Sequence, residues 1–121
     1  MTTTYPEYEN ILVEQSEEPE GLIKVTLNRP QALNALSADL LDDFFNFLDI
    51  FENDPYAYVL LVNGAGRSFC AGYDLASNRT VEPGSPGDLL KEQSVGRSRR
   101  LMVDSVDRYL RLFNLRKPTI A

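Results

Sequence analysis

An α/β fold is predicted by three stretches of this sequence taken in order. Residues 22–27, LIKVTL, place Ile23, Val25 and Leu27 on one side and Lys24 and Thr26 on the other, the two-residue period of a half-buried strand. From Ser37 to about Asn53, Leu40, Leu41, Phe44, Phe45, Phe47, Leu48 and Phe51 recur at helical spacing and form a broad apolar face. Residues 58–62, YVLLV, are a short continuous apolar run, as expected of a strand covered on both faces. Strand, loop, helix and strand make a βαβ unit, which pairs its two strands in parallel.

The other elements fall around that unit. Residues 1–9 are polar and are expected to fray or to lie at an edge. Asn10 to Gln15 carries Ile-Leu-Val and reads as a first strand. Ser16 to Gly21 holds Pro19 and Gly21, a turn that joins it to residues 22–27 as an antiparallel hairpin. Asn28-Arg29-Pro30 ends the second strand, because proline has no donor for the ladder. Ser37 is the expected N-cap of the helix, with Asp39 in its first turn. Asn53-Asp54-Pro55 stops it. Residues 77–87 are rich in Pro, Gly and Ser and read as a flexible loop. A second helix is expected over about Leu90 to Leu115, with Met102, Val106, Tyr109, Leu110 and Phe113 at helical spacing. After Lys117-Pro118, Thr119-Ile120-Ala121 opens like a further buried strand, which points to a chain truncated there.

Composition narrows the function. The chain has 121 residues, about one domain, with a formal net charge of -6, which argues against a general affinity for nucleic acid or anionic membranes. Lys91, Arg97, Arg99 and Arg100 form a local basic stretch that suits a small phosphorylated ligand better than a polymer, or simply a solvated helix face. No stretch approaches the roughly 20 apolar residues of a membrane helix. The single cysteine forms no internal disulfide, so a cytoplasmic location is expected. The absence of histidine removes Ser-His-Asp and Cys-His catalysis from these residues and makes a zinc site improbable.

Among local motifs, Gly64 and Gly66 follow a strand and superficially offer a dinucleotide loop, but Phe69 occupies the third glycine position. Asp42, Asp43, Glu52 and Asp54 lie on the polar face or at the end of the first helix, where solvation accounts for them. Asp74 sits in a turn and is expected to cap the turn after it through backbone N–H groups. Cys70 reads as a small apolar residue rather than a nucleophile, and Arg29 as a plain surface residue after a strand.

Three segments together resemble the crotonase (enoyl-CoA hydratase/isomerase) superfamily. Asn28 to Leu36, NRPQALNAL, is similar to its N-R-P-x-x-x-N-A-L signature; Ser68 to Leu75, SFCAGYDL, to its S-F-C-A-G-x-D-L loop; and Lys117 to Ala121, KPTIA, to its K-P-x-I-A. The resemblance implies the N-terminal part of a ββα spiral that binds acyl-coenzyme A thioesters, truncated before the glycine-rich segment that supplies a second oxyanion-hole donor. It implies that the backbone N–H of Tyr73 is one such donor and that Arg29, Gln31, Ala32, Ala71, Gly72, Tyr73, Asp74 and Leu75 bind substrate. No separate cofactor is implied, coenzyme A being part of the substrate, and relatives assemble as homotrimers or hexamers. The acid–base glutamates of the hydratases have no counterpart in these residues, so the resemblance implies an inactive fragment of an enzyme. A non-catalytic domain that binds acyl-CoA weakly or acts in assembly is the alternative, and a nucleotide-binding domain using Gly64 and Gly66 is a second one.

Overall fold

The computed structural model describes residues 3–74 and 106–121. Four strands lie in the order β1-β2-β3-β4: β1 Ile11–Gln15, β2 Leu22–Leu27, β3 Val59–Gly64 and β4 Thr119–Ile120. β1 and β2 form the antiparallel hairpin, with Val13 opposite Val25 and Glu14 opposite Lys24, whose ammonium meets the Glu14 carboxylate at 3.1 Å. β2 and β3 are parallel, with Ile23 beside Leu60 and Val25 beside Val62, so the βαβ reading holds. β4 adds to β3 in parallel, Leu60 facing Thr119.

Between β2 and β3 runs the helix α1, Ala38–Asn53, whose N-cap Ser37 accepts from the Leu40 N–H, as the sequence predicts. Its Leu40, Phe44, Phe45, Phe47, Leu48 and Phe51 are buried, and Phe47 stacks on Phe51 with centroids 5.9 Å apart. With Ile11, Ile23, Val25, Leu27, Leu60 and Val62 they form one core between helix and sheet.

Two strands differ from the sequence reading. β3 is not covered equally on both faces: Leu60 and Val62 are buried, while Val59 and Leu61 are half-buried. β4, expected to be buried, is exposed, Ile120 at 55%. A continuous apolar run cannot reveal which of its faces the rest of the chain covers.

Residues 3–8, where fraying was expected, are tied down. The Tyr5 hydroxyl donates to Asp54 Oδ2 at 2.6 Å and the Thr3 hydroxyl to Oδ1 at 2.7 Å, while the Tyr8 hydroxyl donates to Asn46 at 2.8 Å. The Tyr5 ring also packs on Phe47. Asp54 is accordingly not a solvated carboxylate but only 4% exposed, and it accepts the Tyr56 N–H as well. Lys117 closes the same corner: its ammonium donates to the Phe51 and Asp54 carbonyls at 2.6 Å each, satisfying acceptors at the C-terminal end of α1.

Burial alone would raise the Asp54 pKa, but the hydrogen bonds from Tyr5, Thr3 and the Tyr56 amide, with the Lys117 charge, hold it below its ordinary value. A carboxylate lowered on folding contributes stability that is present above the unfolded value near 3.8 and is lost as the pH falls through the folded one. Tyr5→Phe is therefore expected to cost about 1.5–3 kcal/mol at neutral pH, the worth of a hydrogen bond to a charged acceptor. The difference from the native chain should shrink below about pH 4, as Asp54 is neutralised. Urea unfolding at a series of pH values checks it, and a difference that stays constant into acid would refute the clasp.

Residues 106–113 are helical, with the Asn114 N–H bonded to the Leu110 carbonyl at 2.8 Å. The rest of the predicted second helix and the loop over 77–87 lie outside the described residues, as does the basic stretch from Lys91 to Arg100. Among the described residues no helix is long and apolar enough to cross a membrane.

Candidate functional site

The first wall of the site is the segment after β2. Pro30 opens a single 3-10 turn, Pro30–Ala32, and the chain then takes two consecutive left-handed residues, Leu33 at φ 52° and Asn34 at φ 55°. Each costs an L-residue about 1–2 kcal/mol, so their neighbours must hold them. The Asn34 N–H donates to the Arg29 carbonyl at 2.9 Å and the Leu33 N–H to the Pro30 carbonyl at 3.2 Å. The Asn34 side chain, fully buried, then makes three further bonds. Its Oδ1 accepts the Arg29 N–H at 2.9 Å, and its Nδ2 donates to the carbonyls of Ala65 at 2.9 Å and Ser68 at 2.8 Å.

The second wall is the loop after β3. Ala65 is anchored by its N–H to the Leu27 carbonyl at 2.8 Å. A Cβ on Gly64 would collide with the carbonyls of Phe69 and Ser68 and with the Asn34 amide, so this glycine is there for space. No helix follows Gly66 over residues 67–74, so the loop lacks the helix N-terminus that a dinucleotide phosphate would need. Phe69 is 51% exposed, and half-buried Cys70 accepts the Gly72 N–H through Sγ at 3.4 Å.

The two walls meet at residues 71–74. Ala71 donates to the Leu33 carbonyl at 3.0 Å, Leu36 donates to the Gly72 carbonyl at 2.7 Å, and Asp74 donates to the Leu36 carbonyl at 3.2 Å. Leu36 and Tyr73 thus form an isolated parallel bridge. Gly72 has φ 89°, and the place of its missing Cβ is open, with no heavy atom within 4 Å. Here glycine serves conformation rather than packing. A trans peptide is planar, so its carbonyl and N–H point in opposite directions. Because the carbonyl of the Gly72–Tyr73 peptide faces the Leu36 N–H, the Tyr73 N–H faces away from the first wall.

Of the sequence-predicted residues, the structure gathers Arg29, Ala71, Gly72, Tyr73 and Asp74 at this junction. Arg29 is not a plain surface residue: Nη1 donates to the Ala35 carbonyl at 2.7 Å and Nη2 to Asp74 Oδ2 at 3.2 Å. Asp74 thus turns back across the junction to Arg29, where a cap on the next turn was expected. Gln31 is exposed and Ala32 half-buried on the 3-10 turn, and Leu75 lies outside the described residues. Asn34 was missed as a site residue. Its signal was a polar residue tolerant of left-handed backbone, set between Leu33 and Ala35. No group of three or more potential metal ligands occurs among the described residues.

Comparison with known proteins bears on this arrangement. The family model described as enoyl-CoA hydratase/isomerase matches residues 17–121. The chain is 41% identical over 97 residues to an enoyl-CoA hydratase of Mycobacterium tuberculosis, covering 80% of this chain and 33% of that protein. It is 28% identical over 118 residues to a peroxisomal dienoyl-CoA isomerase of Arabidopsis thaliana, covering 98% of this chain and 42% of that one. A crystal structure of an enoyl-CoA hydratase/isomerase from Xanthobacter autotrophicus superimposes with a TM-score of 0.72 at 29% identity, over 93% of this chain and 38% of that chain. This chain therefore spans between a third and somewhat under half of the length of these relatives. The match reaches from the first hairpin turn to β4 and takes in both walls of the junction: the chain belongs to the enoyl-CoA hydratase/isomerase family.

Proposed function

We propose that this chain binds an acyl-coenzyme A thioester at the junction of residues 29–36 and 71–74, with the Tyr73 N–H donating to the thioester carbonyl. The observation that carries the reading is the orientation of the Gly72–Tyr73 peptide, whose carbonyl is held by Leu36 at 2.7 Å so that its N–H points away from Leu36 and the first wall. The open space beside Gly72 lets a ligand approach the backbone closely. An amide already oriented needs no rearrangement as the thioester oxygen gains charge, and one such donor is worth about 2.7–4 kcal/mol in an enolate-like transition state. Gln31, Ala32 and Ala71 would shape the walls around the coenzyme A portion, braced from within by Arg29 and Asp74. No cofactor is required beyond the coenzyme A that the substrate carries.

The reading assigns binding and carbonyl polarisation to these residues and no proton transfer. The 121-residue chain alone is thus expected to bind a short 2-enoyl-CoA without hydrating it. Tyr73→Pro removes that N–H, while the bridge to Leu36, built on the Gly72 carbonyl and the Asp74 N–H, does not draw on it. Its affinity for crotonyl-CoA, measured by calorimetry, should fall by about tenfold, the upper range for one neutral hydrogen bond. Tyr73→Phe, which keeps the amide, should bind like the native chain. Equal affinities for the proline and phenylalanine variants would sink the amide assignment, and turnover by the native chain would refute the division of labour.

A further inference from the structure

We infer that Arg29 and Asp74 are a positioning pair for the Tyr73 amide and do not themselves touch the ligand; this rests on the acyl-CoA reading above. Arg29 directs both terminal nitrogens into the protein, Nη1 to the Ala35 carbonyl at 2.7 Å and Nη2 to the Asp74 carboxylate at 3.2 Å. The two side chains are 19% and 14% exposed, so the pair is shielded from solvent and screened less than a surface pair. A guanidinium makes such contacts in two directions from one rigid plane; a lysine ammonium does not.

The geometry explains what the pair does. Arg29 is itself fixed, its N–H donating to Asn34 Oδ1 at 2.9 Å and its carbonyl accepting from Ala32 at 3.0 Å and Asn34 at 2.9 Å. Asp74 directly follows Tyr73 and is held at its N–H by the Leu36 carbonyl and at its carboxylate by Arg29. The Tyr73 amide is therefore bracketed, the Gly72 carbonyl pinned before it and Asp74 pinned after it. Gly72 at φ 89° has no side chain to restrict its rotation, so without the second clamp the peptide could swing. The pair also joins residues 45 apart in sequence, tying the first wall to the second by a side chain as well as by backbone.

The test has two readouts on the 121-residue chain. In the ligand-free chain, hydrogen exchange of the Asp74 amide should speed up at least tenfold in Arg29→Lys and in Asp74→Ala, with the β2 amides unchanged. Unchanged Asp74 exchange would overturn the pair as a clamp. In calorimetry, the native chain should prefer crotonyl-CoA over free coenzyme A. Each variant should lose about tenfold in affinity for crotonyl-CoA with little change for free coenzyme A, and the double variant should lose no more than either single one. Equal losses for both ligands, additive in the double variant, would make Arg29 and Asp74 direct ligand contacts and overturn the proposal. A native chain with no preference for the thioester would instead refute the acyl-CoA reading and the link to the amide, while the exchange result still decides whether the clamp exists.

Discussion

Asn34→Ala is expected to lower the unfolding free energy by about 4 kcal/mol, a large share of the roughly 5–15 kcal/mol that holds a typical domain together. The side chain it removes is fully buried and bonds three main-chain groups from two segments: the Arg29 N–H and the Ala65 and Ser68 carbonyls. Each group left without its partner costs about 1–3 kcal/mol, and the lower end applies because these residues are not fully buried and water can reach them in part. An alanine held at φ 55° adds about 1 kcal/mol or more, since it lacks the local hydrogen bonding that eases asparagine into left-handed backbone. Asn34→Asp should fare no better. It keeps the acceptor toward Arg29 but turns a carboxylate oxygen toward two carbonyls now met at 2.8–2.9 Å by an amide donor. Urea denaturation reads both variants; a loss below about 1 kcal/mol for the alanine would show that the walls are held together without this latch.

Gly64→Ala is expected to cost about 3 kcal/mol, toward the upper end of overpacking penalties. The added methyl would sit 2.6 Å from the Ser68 carbonyl and 2.8 Å from Asn34 Nδ2, and closer still to the Phe69 carbonyl. Two of these three are backbone, and the third is the latch itself, so relief requires moving the loop rather than turning a side chain. Gly72→Ala is the informative comparison. It meets open space, and its penalty comes only from φ 89°, about 1–2 kcal/mol. The Gly64 variant should therefore be the less stable of the two by denaturant midpoint, and the reverse order would mean that the loop after β3 can yield.

The legibility of this chain tracks the range of its interactions. The hairpin, α1 and the parallel β2–β3 pair were readable because each rests on a local period or on a punctuating residue such as Ser37, Pro30 or Gly21. The cluster of Arg29 with residues 71–74 was readable as a resemblance between motifs and not as a contact, since nothing in NRPQALNAL says which side chain crosses to the other motif. Asp54 illustrates the failure. Beside Asp42, Asp43 and Glu52 it looked like one more solvated acid, yet partners about fifty positions earlier, Thr3 and Tyr5, make it the anchor of the N-terminal segment.

By itself, then, the amino-acid order determined the strands, the helix, the turns and the three family motifs, because periodicity, capping and backbone permissiveness act over a few residues. Only the tertiary structure decided that Arg29 reaches Asp74, that Asn34 bolts two loops together, that β4 lies exposed, and that the Tyr73 N–H points away from Leu36. Those outcomes depend on where distant segments come to rest, and the direction of one amide is set by a bond its own peptide makes to Leu36, which no local pattern encodes.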